Sequence, residues 1–313
     1  MTKYIIKRII LIIPILLGVS FLVFTILSFT PGDPASIILG NGADQEAIDQ
    51  LNKELGYDRP FIERYLSYVS DIALHLDFGF SYRTRLPIRQ ELIDRLPVSL
   101  KLAFFAVILA CAIGIPVGIL TAVKQYSALD TAPTLTALVF AAFPTFWLGM
   151  ILLYVFSLRL GWLPSYGAMG WYHFILPVVG LGLPEAATLM RFTRSSMLET
   201  VRQDYIRTAR SKGAPERRII WKHAFKNALI PIVTIIGVDF AALMGDACAT
   251  EVLYSMPGLC TMIINGIRQK DVPSVMGATL LLTALCALVV LLVDIVYAYI
   301  DPRIAAKYSG RRG

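Results

Sequence analysis

Apolar positions in this chain do not alternate with polar ones; they come in long blocks. An uncharged run from Ile9 to Thr30 follows Lys3, Lys7 and Arg8. It is longer than the apolar region of a signal peptide and lacks a clear small-residue cleavage site, so it is expected to stay as a membrane anchor. Lys101 and Lys124 bracket a second run, and Asp130 and Arg159 a third. Each is long enough to cross a hydrocarbon core of about 30 Å at roughly 1.5 Å per residue. A fourth run, about 174–190, is shorter and carries Glu185, and a fifth, about 228–249, carries Asp239 and Asp246. A sixth, about 275–300, contains Asp294, sets Tyr297 and Tyr299 at an interface, and stops at Asp301-Pro302. The pattern predicts an all-α polytopic membrane protein with six transmembrane helices, at about 9–30, 102–123, 131–158, 174–190, 228–249 and 275–300. Pro116, Pro144, Pro177 and Pro184 lie within or near these runs and are expected to shape them.

Between the first two runs lies a large loop, 31–97, with eleven carboxylates against seven Lys or Arg. Within it, Asp44 to Leu55 and Phe61 to Leu76 space apolar residues three and four apart, as amphipathic helices do. They are expected either to lie on the membrane surface or to form a plain external cap. Lys and Arg cluster instead at the N-terminus, with three, in 191–226, with ten, and in the C-terminal tail, with four. The positive-inside rule then sets both termini and the 191–227 segment in the cytoplasm and the 31–97 loop outside. No internal repeat, linker or low-complexity tract divides the chain, so 1–313 is expected to be a single domain.

Composition strengthens this picture. The 313 residues are 56% hydrophobic and 16% charged, with a mean hydropathy of +0.65. A soluble globule of this length needs more polar surface. The net charge of +7 comes from clusters between apolar runs, which fits membrane topology and not a nucleic-acid-binding stripe. Cys111, Cys248, Cys260 and Cys286 form no CxxC pair and read as small packing residues. His75, His173 and His223 are far apart, and no metal-ligand cluster, H-E-x-x-H or G-x-S-x-G motif occurs. There is also no phosphate-binding G-x-x-x-x-G-K-[ST], so no catalytic or cofactor-binding residues are expected here.

The stretch RTARSKGAPERRIIWKHAFKNALIP, Arg207 to Pro231, is dense in Lys, Arg and His and has Glu216 as its one carboxylate. Glu199 to Lys212 reads as a helix, Gly213 as a left-handed turn, and Ala214-Pro215-Glu216 as the start of a second helix with proline in its first position. A solvated positive loop or an anionic-lipid patch explains the charge. Neither needs a glycine turn between short helices, nor the interspersed Ile206, Ala209, Ile219, Ile220 and Phe225, which a groove on a partner protein would use.

This segment resembles the coupling loop of ABC-transporter permeases, with Arg207-Thr208-Ala209 in place of its EAA, then three residues and Gly213. The general pattern breaks after that, where Lys226 stands at its proline. WKHAFKNALIP is nevertheless similar to the variant found in the dipeptide, oligopeptide and nickel permeases. The resemblance to that family continues through FTPGDP at Phe29 to Pro34, LGYDRP at Leu55 to Pro60, RLPVSLKLA at Arg95 to Ala103, EVLYSMPGL at Glu251 to Leu259 and DPRI at Asp301 to Ile304. Cys260 departs from the family's usual glycine.

The resemblance implies a type I ABC importer permease-like fold in a bacterial or archaeal cytoplasmic membrane. It also implies a second homologous permease, two ATP-binding subunits that hold ATP and Mg, and an external substrate-binding protein. The residues it implies for ATPase contact are Arg207, Thr208, Ala209, Gly213, Ala214, Pro215, Glu216, Ile219, Ile220 and His223. Asp239, Asp246 and Glu251 are candidates for the translocation path, because an ionisable group at membrane depth is costly unless it pairs or faces water; Glu251 also matches the family's acid before the PGL turn. Glu185 and Asp294 are expected to snorkel or pair, with Arg191 or Arg303 as partners. The expected function is ATP-driven import of a small peptide or related solute. An ATP-independent transporter or channel, or a membrane receptor, is the alternative.

Overall fold

The computed structural model describes residues 2–29, 34–40 and 42–300. The DPRI motif and the basic tail lie outside the described residues, as does part of FTPGDP. Among the described residues the chain is helical, with an isolated bridge between Phe80 and Pro87 as its only β pairing. Five helices are long and apolar enough to cross a membrane, and a bent pair makes a sixth if it counts as one span.

The first helix, α1 (Thr2–Phe29), is followed by three shorter ones, α2 (Pro34–Leu39), α3 (Gln45–Glu54) and α4 (Phe61–His75). Helix α5 (Ile88–Val123) starts well before the expected 102, so the loop expected over 31–97 is itself largely helical. At 36 residues, about 54 Å long, α5 exceeds what a bilayer core requires.

The run expected to cross as one helix, 131–158, is broken. Helix α6 (Ala128–Ala142) stops at Phe143, α7 (Thr145–Leu152) starts after Pro144, and the two are bent by 97°. The cause is local. The proline ring excludes the helical region for the residue before it, and Phe143 is extended at φ −89°, ψ 136°. Helix α7 then widens into a π-helical turn, Leu153–Arg159.

Helix α8 (Ile175–Val201) is continuous and is the most buried span, with 67% of its most apolar window covered. The remaining elements are α9 (Asp204–Ser211), α10 (Glu216–Arg218), a π-helical stretch (Ile219–Phe225), α11 (Lys226–Leu253), α12 (Leu259–Gln269) and α13 (Val272–Ile300).

Although no linker is visible in the sequence, the helices gather into two compact units. One holds Leu100–Met256 with the end of α13 from Cys286; the other holds Ile9–Ser99 and Pro257–Leu285. In the first, α5 meets α8 through small residues: a methyl added at Gly118 would stand 2.6 Å from Thr193 Cβ and 2.7 Å from the Met190 carbonyl oxygen. Gly114-x-x-x-Gly118 thus lets two backbones approach closely, which is how spans associate where lipid is as apolar as side chains. The Tyr254 hydroxyl after α11 donates to the Gly149 carbonyl of α7 at 2.8 Å, satisfying both buried groups.

In the second unit, Ile88, Leu92, Leu259, Met262 and Ala278 form the core. Asp271, in the turn between α12 and α13, accepts from the Ser81 and Ser274 hydroxyls and the Tyr82 N–H. Helix α4 packs along α1, with Phe21 and Phe24 against Phe61 and Tyr65.

Candidate functional site

The basic segment forms a hairpin, though not with the expected boundaries. Helix α8 runs on to Val201, Gln203 is extended at φ −72°, ψ 150°, and the short helix starts only at Asp204. Gly213 takes φ +77°. Its N–H donates to the Arg210 carbonyl at 2.9 Å and that of Ala214 to the Ala209 carbonyl at 3.2 Å, the paired bonds that close a helix on a left-handed residue. Pro215 is extended and caps the second helix, so Glu216, not Pro215, takes its first position. An acid there faces the positive end of the helix dipole. Arg210 grips the same carboxylate at 2.8 and 3.3 Å, which fastens the two sides of the turn. The Arg210 guanidinium holds the Glu216 carboxyl below the usual glutamate range.

Burial divides the hairpin in two. Ile206 and Ile219 are fully buried, in a core with Ile119 and Ala122 of α5, Leu189 and Met197 of α8, and Ala228 and Ile232 of α11. Ala209, Ala214, Ile220 and Phe225 pack against it. The apolar residues expected to enter a partner's groove therefore anchor the hairpin to its own spans, because an apolar stripe on a short helix is buried wherever a neighbouring face is nearest. Arg207, Thr208, Gly213, Pro215 and Glu216 are exposed, as are Arg217 and Arg218, while His223 is half-buried.

Two ion and acid pairs were not legible in the sequence. Arg194 of α8 holds Asp130, at the start of α6, through two hydrogen bonds of 2.7 and 2.8 Å, and the Asp130 side chain is only 7% exposed. Both residues stand as ordinary span flanks, 64 positions apart, and nothing in their spacing pairs them. Glu185 was expected to snorkel or to pair with an arginine such as Arg191. It turns instead towards Asp239 of α11, and the two carboxyl groups lie against one another. Glu185 Oε1 and Asp239 Oδ2 are buried without a hydrogen-bond partner. Asp246 is exposed further along α11, and Glu251 is fully buried within the chain. Glu251 thus faces protein interior, and the structure does not bring it together with Asp239 as a shared lining. Asp294 lies where side chains are outside the described set.

Among the described residues, no three His, Cys, Asp or Glu side chains converge as metal ligands. The geometry offers a rigid basic knob at one end of the α8 and α11 pair and a carboxyl pair between the same helices.

Comparison with known proteins addresses what this arrangement serves. Residues 114–306 match the family described as binding-protein-dependent transport system inner membrane component, and residues 1–103 its N-terminal counterpart. The dipeptide transport system permease protein DppB of Alkalihalophilus pseudofirmus is 38% identical, covering 97% of this chain and 99% of its own. The glutathione transport system permease protein GsiC of Escherichia coli is also 38% identical, over 98% of this chain and 100% of its own. A solved structure of the MetNI methionine ABC transporter superposes with a TM-score of 0.58 at 18% identity, covering 68% of this chain and 98% of that one.

Proposed function

The chain belongs to the family of binding-protein-dependent transport system inner membrane components, and from that premise we propose how its two ends work together. It is the membrane-spanning permease component of an ABC importer. The cargo we assign is a small peptide, a reading supported by the dipeptide and the glutathione in the names of the two similar permeases. The working assembly pairs it with a second related permease, two subunits that hold and hydrolyse ATP with Mg, and an external binding protein. In this arrangement both termini and the hairpin face the cytoplasm of a cell whose inner membrane holds the complex.

One observation carries the mechanism: the hairpin and the carboxyl pair share the same two helices. Glu185 lies 16 residues before the end of α8 and Asp239 lies 13 residues into α11, roughly 20 Å or more from the knob along each helix. An ATPase subunit seated on Arg207, Thr208, Gly213, Pro215 and Glu216 pushes on a body whose buried side, Ile206 and Ile219, is packed into α5, α8 and α11. A close-packed core transmits such a push and does not absorb it. Relative movement of α8 and α11 then opens or closes the pair of carboxyls, of which Glu185 Oε1 and Asp239 Oδ2 accept no hydrogen bond and fit the ammonium group of a peptide. The ATPases favour one of two permease conformations through this differential contact.

Two substitutions at one position separate backbone from partner. No atom lies within 4 Å of a Cβ built on Gly213, so Ala and Arg there carry the same left-handed strain of about 1–2 kcal/mol. Only a seated partner distinguishes them. Reconstituted complexes with Gly213→Ala are expected to keep most of their uptake, and those with Gly213→Arg to lose it while remaining in the membrane. Equal uptake by both removes the ATPase contact from this turn. Asp239→Asn, which keeps shape and removes charge, is expected to lower peptide flux; unchanged affinity and flux would return Asp239 to a structural role.

A further inference from the structure

We propose that the second unit binds one anionic phospholipid of the surrounding bilayer. A cavity of about 380 Å³ opens between the C-terminal end of α1, α12 and the start of α13, within the roughly 300–1,000 Å³ range of ligand sites. Its walls are apolar: Val23 and Leu27 from α1, Ile263 and Ile267 from α12, Val275 from α13. Ile26 and Ile267, at its edge, are 59% and 52% exposed, a greasy approach continuous with the lipid-facing side of α1. Such walls suit an acyl chain.

Among the described residues that line the cavity, the charged ones are Arg64 of α4 and Lys270, and none is acidic. The Arg64 guanidinium lies 4.0 Å from the centre of the Tyr57 ring and 5.6 Å from that of Phe24, so two aromatic faces hold it in place. Tyr57 is in turn fixed by its hydroxyl, 3.3 Å from that of Tyr82. No ion pair to Arg64 forms among the described residues. A fixed guanidinium without a carboxylate presents the fork that phosphate oxygens fill best. An apolar cleft capped by two cations and open to the bilayer matches an acyl chain with an anionic phosphodiester headgroup, and it matches a zwitterionic or purely apolar molecule less well.

The test uses the purified importer complex, incubated with phosphatidylglycerol and phosphatidylcholine in detergent and then delipidated stepwise, with retained lipids counted by native mass spectrometry. Wild type is expected to keep one phosphatidylglycerol per copy in preference to phosphatidylcholine. Arg64→Gln should lower that retention about tenfold, the scale of one charge-assisted contact. Ile267→Trp, which fills the apolar wall and leaves the charges alone, should displace the same lipid. Equal retention of both lipids, or of phosphatidylglycerol by wild type and both variants, overturns the proposal. So does displacement of phosphatidylglycerol by millimolar inorganic phosphate without any effect of Ile267→Trp, which would mark the cations as a free-phosphate site.

Discussion

Two arginine–carboxylate pairs in the same half of this molecule have nearly the same geometry and opposite surroundings. Arg194 grips Asp130 at 2.7 and 2.8 Å, and Arg210 grips Glu216 at 2.8 and 3.3 Å. The first ties α6 to α8 with Asp130 almost sealed from solvent; the second crosses a turn with Arg210 and Glu216 side chains 43% and 61% exposed. In high dielectric an ion pair gains little over its hydrated partners, whereas a buried charge deprived of its partner has nowhere to turn. The difference teaches that the hairpin does not stand by its charges. It stands by Ile206 and Ile219, and the charges on its far side are left available for another surface.

The largest effect is expected from Arg194→Ala, which leaves the buried Asp130 carboxylate without its cation. It is expected to destabilise the chain by about 3 kcal/mol or more, read as a lowered thermal midpoint of the purified complex; a midpoint near wild type would mean that Asp130 finds water. Next is Ile206→Ala in the hairpin's anchor, expected to cost roughly 2–4 kcal/mol by leaving a cavity among α5, α8 and α11, with the same readout. Arg210→Ala should cost less than about 1 kcal/mol because both partners are solvated. A loss as large as that of Arg194→Ala would mean that exposure does not distinguish the two pairs.

The smallest effect is one of pH. Because the folded-state pKa of Glu216 is depressed by Arg210, its contribution is fully present above the ordinary glutamate value and is lost as pH falls through the lower folded value. Hairpin stability should therefore be flat above about pH 5 and decline only in acid, and Arg210→Ala should remove that decline.

Much of this plan could be read along the chain because membrane helices are written as blocks and turns as single residues. Gly213 marks its left-handed turn in the sequence, and the runs around Ile9 and Val275 mark their helices. What could not be read depends on which faces meet. Phe143-Pro144 was visible, but an apolar run does not say whether a proline kinks a span or breaks it by 97°. Ile206 and Ile219 look alike whether they are buried against α5 or offered to a partner. Glu185 and Asp239 are 54 positions apart, and Asp130 and Arg194 are 64. Such pairs follow from helix packing, and helical periodicity carries no information about them. The spacing of Gly114 and Gly118 is a local signal of that packing, since a Cβ at either would press on α8.

In the proposed mechanism the hairpin's buried side carries force from the ATPases to the spans. Its most direct test is the number of substrate molecules taken up per ATP hydrolysed by the reconstituted complex with Ile206→Ala, compared with wild type under conditions where both remain assembled. Hydrolysis is expected to persist while uptake per ATP falls several-fold, because the knob still meets the ATPase but yields in its socket. An unchanged ratio would contradict it, showing that the push reaches the membrane helices by another route.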